Sequence, residues 1–351
     1  MASGSSERSP GSPHLPVRQE WLGLLDEPAI EPELMIVDAH HHLWDRPDSR
    51  YMLDDYLDDI DSGHHVVASV YVQCRSMFNL DLPEPLRCVG EVEFANGVAA
   101  LSASGSYGEP RICSAIVAGA DLSLGEAVAP VLEEMLARAG RRLQGIRNTT
   151  AWHADPLVVS NPRPPPPGLL SDVNWRKGVS CLRRYNLALD LWAYHTQLEQ
   201  IFDLARSFPD QLMVLDHLGG PLGIGPYAGA RESVFAEWSR LIGQLAACPN
   251  VRIKLGGLGM HVGGFNLHTR KLPPDSDTLA GLWRPYILHC IDVFGVERCL
   301  FESNFPVDKG MYSYGVMWNA FKKITAGFSC DEKRFLFSQT AVDTYNLTLS
   351  S

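Results

Sequence analysis

The sequence predicts a single-domain α/β protein built as a TIM (β/α)8 barrel. Three observations predict it. Eight short apolar segments recur between residues 34 and 303, each followed by a helix-like segment. No Gly-rich phosphate loop follows the first, as a doubly wound sheet would require; histidines stand there instead. Polar residues also gather at the C-terminal ends of these segments, the end at which a barrel carries its active site.

A chain of 351 residues, 45% hydrophobic and 20% charged, can build a large core. Its net charge of −11 disfavours nucleic acid as a partner and leaves a small-molecule substrate as the expectation. The eight cysteines are scattered and contain no Cys-x-x-Cys pair, which suits free thiols in a reducing compartment. The N-terminus lacks an apolar signal core and no apolar run is long enough to span a membrane, so no membrane partner and a cytoplasmic location are expected. The oligomeric state is open, with a homo-oligomer as one option.

Residues 1–16, rich in Ser, Gly and Pro, have little to bury and are expected to be disordered; residues 17–351 form the barrel domain. A short lead-in helix at 17–32 carries Trp21 and Leu22. The first strand, 34–39, runs into His40-His41-His42. The second, 66–74, is dense in valine, and a helix at 88–103 follows, on which Glu91 and Glu93 read as solvated. The third strand is 112–118, then an amphipathic helix at 124–139, then the fourth strand at 143–149. Trp152, His153 and the proline run 162–167 make a long excursion, since prolines exclude helix and central strand. Asp172 caps a helix to about residue 185. The fifth strand, 187–194, ends at His195, and the sixth, 211–215, at Asp216-His217; helices at 198–207 and 232–246 follow them. The seventh, 251–255, carries Lys254, and a helix at 278–294 leads to the eighth, 299–303, with Glu302 and Asn304 at its end. Helices at 316–325 and 331–345 close the chain.

His40 and His42 are two residues apart on a strand, so they share a face while His41 points the other way. With His195 and His217 they are the candidate ligands of a divalent metal, zinc being usual for nitrogen-rich sites. Arg147 and Lys254 are candidates for holding a carboxylate or an oxyanion, each set against the plainer reading of a buried ion pair. Gln73, Trp152 and His153 are candidate pocket residues.

Val37-Asp38-Ala39-His40-His41-His42, Gly145-Ile146-Arg147, Tyr194-His195, Leu215-Asp216-His217-Leu218-Gly219-Gly220-Pro221, Lys254-Leu255-Gly256-Gly257 and Glu302-Ser303-Asn304-Phe305-Pro306 occur in this order. In these motifs the chain resembles the amidohydrolase superfamily, in its amidohydrolase-2 branch, which includes sugar-acid and dicarboxylate lactonases. The resemblance runs from about residue 34 to 347 and implies a distorted TIM barrel. It implies His40 and His42 as metal ligands, His195 as a further ligand, His217 as ligand or acid/base, and Arg147 and Lys254 on the substrate side. Some lactonases of this type work without metal, their histidines polarising the carbonyl directly. The family usually reads Gly-Ser-Asp-Trp-Pro at the eighth strand, with the aspartate as general base. Asn304 stands in its place and cannot accept a proton at neutral pH. Glu302, His217 and Asp308 are the substitutes, Glu302 and His217 leading.

The expected activity is hydrolysis of a lactone or related ester of a small polar or carboxylated molecule, with His217, Glu302, Asn304 and Lys254 at the reaction centre. The alternatives are a metal-dependent non-oxidative decarboxylase of the same superfamily and a barrel that binds a small molecule without catalysis.

Overall fold

The computed structural model describes residues 13–349. Its organising element is an eight-stranded parallel sheet, β1 (Ile36–His41), β4 (Val66–Val72), β5 (Arg111–Ala118), β6 (Leu143–Arg147), β7 (Ala188–Leu191), β8 (Met213–Leu215), β9 (Val251–Leu255) and β10 (Cys299–Phe301), neighbours in that order. A small antiparallel hairpin, β2 (Trp44–Arg46) and β3 (Ser49–Tyr51), follows β1. The barrel strands are apolar because helices cover them outside and side chains fill them inside, as parallel sheets require. The sheet curls until its ends meet. The His42 amide donates to the Phe305 carbonyl (2.8 Å) and the Asn304 amide to the His40 carbonyl (2.8 Å), closing the barrel just beyond β10.

Small residues fill the inside. Val37 and Ala39, Val70 and Val72, Ala115 and Val117, Ala188, Val214 and Leu300 form one buried cluster with Tyr345 from the C-terminal helix Thr340–Tyr345. One pleat further along their strands, the residues sharing parity with Ala188, Val214 and Leu300 are Asp190, Asp216 and Glu302. The register makes Arg147 the neighbour of Asp190, and Leu300 the neighbour of Lys254. An apolar barrel floor thus carries a charged layer.

Most helices lie where the periodicity puts them. Asp172 caps Val173–Leu182 by accepting from the Trp175 amide (2.7 Å). The lead-in helix is only Gln19–Leu22, and strand five stops at Leu191, short of the expected Tyr194. Glu91 departs most from expectation. Its carboxylate is buried and accepts from the Tyr71 hydroxyl (3.0 Å) and the amides of Cys74 (2.8 Å) and Ser76 (3.1 Å), so it anchors the loop after β4 instead of facing solvent. Within the stretch expected to be disordered, His14 stacks on Trp44 and Leu15 packs against the core; residues 1–12 lie outside those described. Among the described residues no helix is long and apolar enough to cross a membrane.

Candidate active site

The site stands on the charged layer at the C-terminal ends of the strands. The β1 register slips between Asp38 and His41, which re-aims the chain so that His40 and His42 face the centre. His41 turns outward onto Tyr56, ring centroids 4.2 Å apart, with the Ser69 hydroxyl 2.9 Å from its Nε2. Asp38 holds this turn to the opposite strand by accepting from the Ser303 amide (2.9 Å) and hydroxyl (2.6 Å).

Nε2 of His40 lies 3.2 Å from Nε2 of His42. The Nδ1–H of His42 donates to the Val72 carbonyl (2.7 Å), so its Nε2 carries a lone pair. Nδ1 of His40 lies 2.9 Å from Glu302 Oε2, and the Arg147 guanidinium, which can only donate, lies 3.2 Å from its Nε2, so that nitrogen carries a lone pair too. Both rings are neutral: burial, then the Lys254 charge, pushes His40 down to about 4, and burial, then His40 and Arg147, carries His42 well below its ordinary value.

The other Glu302 oxygen accepts from Nδ1–H of His217 at 2.6 Å. Burial opposes ionisation of Glu302, but His217 and His40 outweigh it and hold its pKa at about 2. This seating needs two glycines. A Cβ on Gly256 would lie 2.4 Å from Glu302 Cγ, and one on Gly257, at φ +68°, would lie 2.4 Å from His217 Nδ1.

Beneath the histidines lies an ion-pair network with no exposed member. Lys254 Nζ is 2.7 Å from Asp190 Oδ2, 3.0 Å from Asp216 Oδ1 and 3.2 Å from His40 Nδ1. Arg147 reaches Asp216 Oδ2 (3.2 Å), His40 Nε2 (3.2 Å) and the Gln73 carbonyl (2.5 Å). Although burial raises it, Asp216 is held well below the carboxylate range by Lys254, His40 and Arg147.

The donor set fits a divalent cation. Two nitrogens each about 2.0–2.1 Å from a tetrahedral zinc lie roughly 3.3 Å apart, close to the His40–His42 separation. His40, Asp216 and His217 also bring ligand atoms within 4.8 Å of one another. The network sets three carboxylates, Asp190, Asp216 and Glu302, against two fixed cations, Lys254 and Arg147, a balance that a bound cation would improve.

A cavity of about 680 Å³ opens above, lined by His42, His217, Gln73, Arg147, Asn304 and Trp192 among others. Asn304 is fixed there by its amide nitrogen, which donates to Asp308 Oδ1 (2.8 Å). Asp308 also accepts from the Gly259 amide (2.8 Å) and the Tyr312 hydroxyl (2.5 Å), and burial pushes its pKa up to about 7.

Four expected residues lie elsewhere or act differently. His195 follows the end of β7 and packs against Tyr227, its Nδ1 accepting from the Leu222 amide (3.3 Å); it joins neither the histidine cluster nor the cavity lining. His153 also turns to Tyr227, 3.2 Å from its hydroxyl, and Trp152 gives its amide to Gln197 (3.0 Å); neither lines the cavity. Lys254 has no surface to offer a substrate and instead positions Asp216 and His40. Asp190 is an unexpected member of the network, although a charged residue inside the apolar run Ala188-Leu189-Asp190-Leu191 is itself a signal of an inward functional or structural position.

The family model described as Amidohydrolase matches residues 37–347. An uncharacterised protein, y4mH, of Sinorhizobium fredii is 32% identical over 337 residues, covering 90% of this chain and 99% of its own. An L-fucono-1,5-lactonase of Burkholderia multivorans is 24% identical over 325 residues, covering 89% and 96%. The crystal structure of an amidohydrolase from Burkholderia multivorans with bound zinc superimposes with a TM-score of 0.69 at 23% identity, covering 90% of this chain and all of that one.

Proposed function

The chain belongs to the amidohydrolase family, and from that premise we propose that it opens a lactone, or a related ester, of a small carboxylated molecule by attack of water. The observation that carries the reading is the bond from His217 Nδ1 to Glu302, made at the edge of the cavity and beside the His40–His42 pair. An ionised carboxylate on Nδ1 fixes the tautomer and leaves Nε2 to take a proton from water. Glu302 then positions the base and balances the charge it gains with the proton, and His217 is the base. Asn304, whose amide nitrogen donates to Asp308, can orient a donor through its carbonyl oxygen but cannot take its proton. Arg147 lines the cavity, where it is tied to Asp216 and would be open to a substrate carbonyl.

His40 and His42, with Asp216, would hold a divalent ion, zinc by preference, leaving Nε2 of His217 for the proton. When bound, such an ion supplies Lewis-acid polarisation of the carbonyl. The bacterial lactonase relative supports the choice of a cyclic ester as substrate.

The test is turnover of a panel of carboxylated and neutral lactones by the wild-type protein and by His217→Asn and Glu302→Gln. Loss in both variants supports the assignment. Full activity in both, or release of CO2 from aromatic carboxylates with lactones left intact, would sink it.

A further inference from the structure

Among the described residues Arg147 is the one guanidinium of the cavity paired with a carboxylate. Arg46, Arg75, Arg87 and Arg163 line the same space, the exposed Arg75 and Arg163 at its mouth, and among the described residues Asp48 is the sole acidic one in the lining. Arg46 gives its Nη2 to the Cys74 carbonyl (2.5 Å) and lies over the Trp44 ring, and Arg87 gives Nε to the Leu82 carbonyl (3.2 Å), so both are placed but not neutralised. Among the described residues Arg75 and Arg163 form no ion pair. After burial, the Arg163 charge is the next cause that pushes the Arg75 pKa down, and Glu91 and Asp121 oppose it. Two like charges thus line one cavity in a protein whose net charge is −11.

The placement of Arg75 is built. The residue has a left-handed φ of +60°, and the amides on either side of it, those of Cys74 and Ser76, are both bound by the buried Glu91 carboxylate. Arg163 stands on the proline-rich loop after β6, where prolines limit the chain's freedom. Positive groups that outnumber the acidic ones around an opening draw anions and orient them.

We propose that Arg75 and Arg163 form an anion subsite at the cavity mouth, which holds a substrate carboxylate separate from the carbonyl attacked below. The inference rests on the hydrolase reading only for the identity of that carbonyl. It adds that the substrate is long enough to span from His217 to the rim, and that its anionic end, not its reactive end, selects it.

The experiment is a calorimetric titration of the full chain with glutarate and with glutaramide, which match in length and differ in charge, at fixed ionic strength. Wild type is expected to bind glutarate in preference, and Arg75→Gln/Arg163→Gln to weaken it by about tenfold or more. Arg75→Lys/Arg163→Lys should recover part of the loss, which a folding defect would not allow. No preference for glutarate, or equal affinity in wild type and the double glutamine variant, overturns the subsite. In the second arm, the kcat/KM ratio for a carboxylated lactone over its methyl ester is expected to fall in the double glutamine variant through KM; an unchanged ratio overturns it. If no lactone is opened but glutarate behaves as expected, the hydrolase reading fails and the subsite stands.

Discussion

Glu302 and His217 meet at 2.6 Å, Oε1 to Nδ1, with both side chains buried and each seated over a glycine that leaves no room for a Cβ. Glu302→Gln keeps the shape but replaces the anion with an amide that can present its NH2 to Nδ1 and favour the wrong tautomer. The expected result is a fall in kcat of about 10²–10⁴-fold with a smaller change in KM, checked by steady-state kinetics on the best lactone of the panel. A drop in KM-controlled binding alone would contradict the role.

Gly257→Ala addresses the same contact from behind. Its Cβ would press on the His217 ring, and its φ of +68° is costly for alanine. The variant is expected to lose on the order of 1–3 kcal/mol of stability and to lose activity out of proportion, because a displaced base is a catalytic defect. Denaturant unfolding and kinetics on the same preparation separate the two effects.

Lys254 is expected to dominate stability instead. Lys254→Met leaves Asp190 and Asp216 buried against each other and should cost about 3–5 kcal/mol. Adding Asp190→Asn removes one of the stranded charges and should recover part of the loss. Urea midpoints of the two variants decide it, and identical midpoints would show that the lysine does not hold these carboxylates.

Metal content tests the histidine pair. Near-stoichiometric zinc or another divalent ion is expected in the purified protein, with His42→Ala reducing it by at least about tenfold. Elemental analysis gives the answer independently of activity.

Stability should also depend on a group far from the site. His64 is buried with Lys322 Nζ 2.8 Å from its Nδ1, and burial, then the lysine charge, pushes its pKa from 6.5 down to about 4. The unfolded chain binds this proton more readily, so the contribution is complete above about pH 6.5 and is lost as pH falls toward 4. The loss is on the order of 3 kcal/mol. His64→Gln should flatten the urea-midpoint curve between those pH values, whereas an unchanged slope would assign acid sensitivity elsewhere.

Much of the barrel is legible in the sequence because its strands are short, apolar and fully buried, as in Val251–Leu255, where the expected and observed ends agree. His40, His42 and Glu302 can be found because they extend such strands. His195 misleads for the opposite reason: β7 ends at Leu191, and beyond a strand end alternation no longer says where a side chain points. Asp190 already fills the inward position on that strand, bound to Lys254 and to the Tyr345 hydroxyl (2.8 Å). Trp152 and His153 fail likewise, as loop residues whose direction depends on contacts with Gln197 and Tyr227. Glu91 is hidden because helical spacing cannot reveal two loop amides waiting for an acceptor. Arg75 and Arg163 carry no periodic signal at all.

The closing of the barrel has a consequence for synthesis. His40 and His42 leave the ribosome early, whereas Asn304 and Phe305, which bind their backbone, and Glu302, which orients His40, follow more than 250 residues later. Until then β1 and β9 are open edges of an incomplete sheet, available to other chains. A nascent or truncated chain that stops before residue 299 therefore lacks both its last strand and its chemistry, and premature termination there should yield aggregation rather than a partly active product.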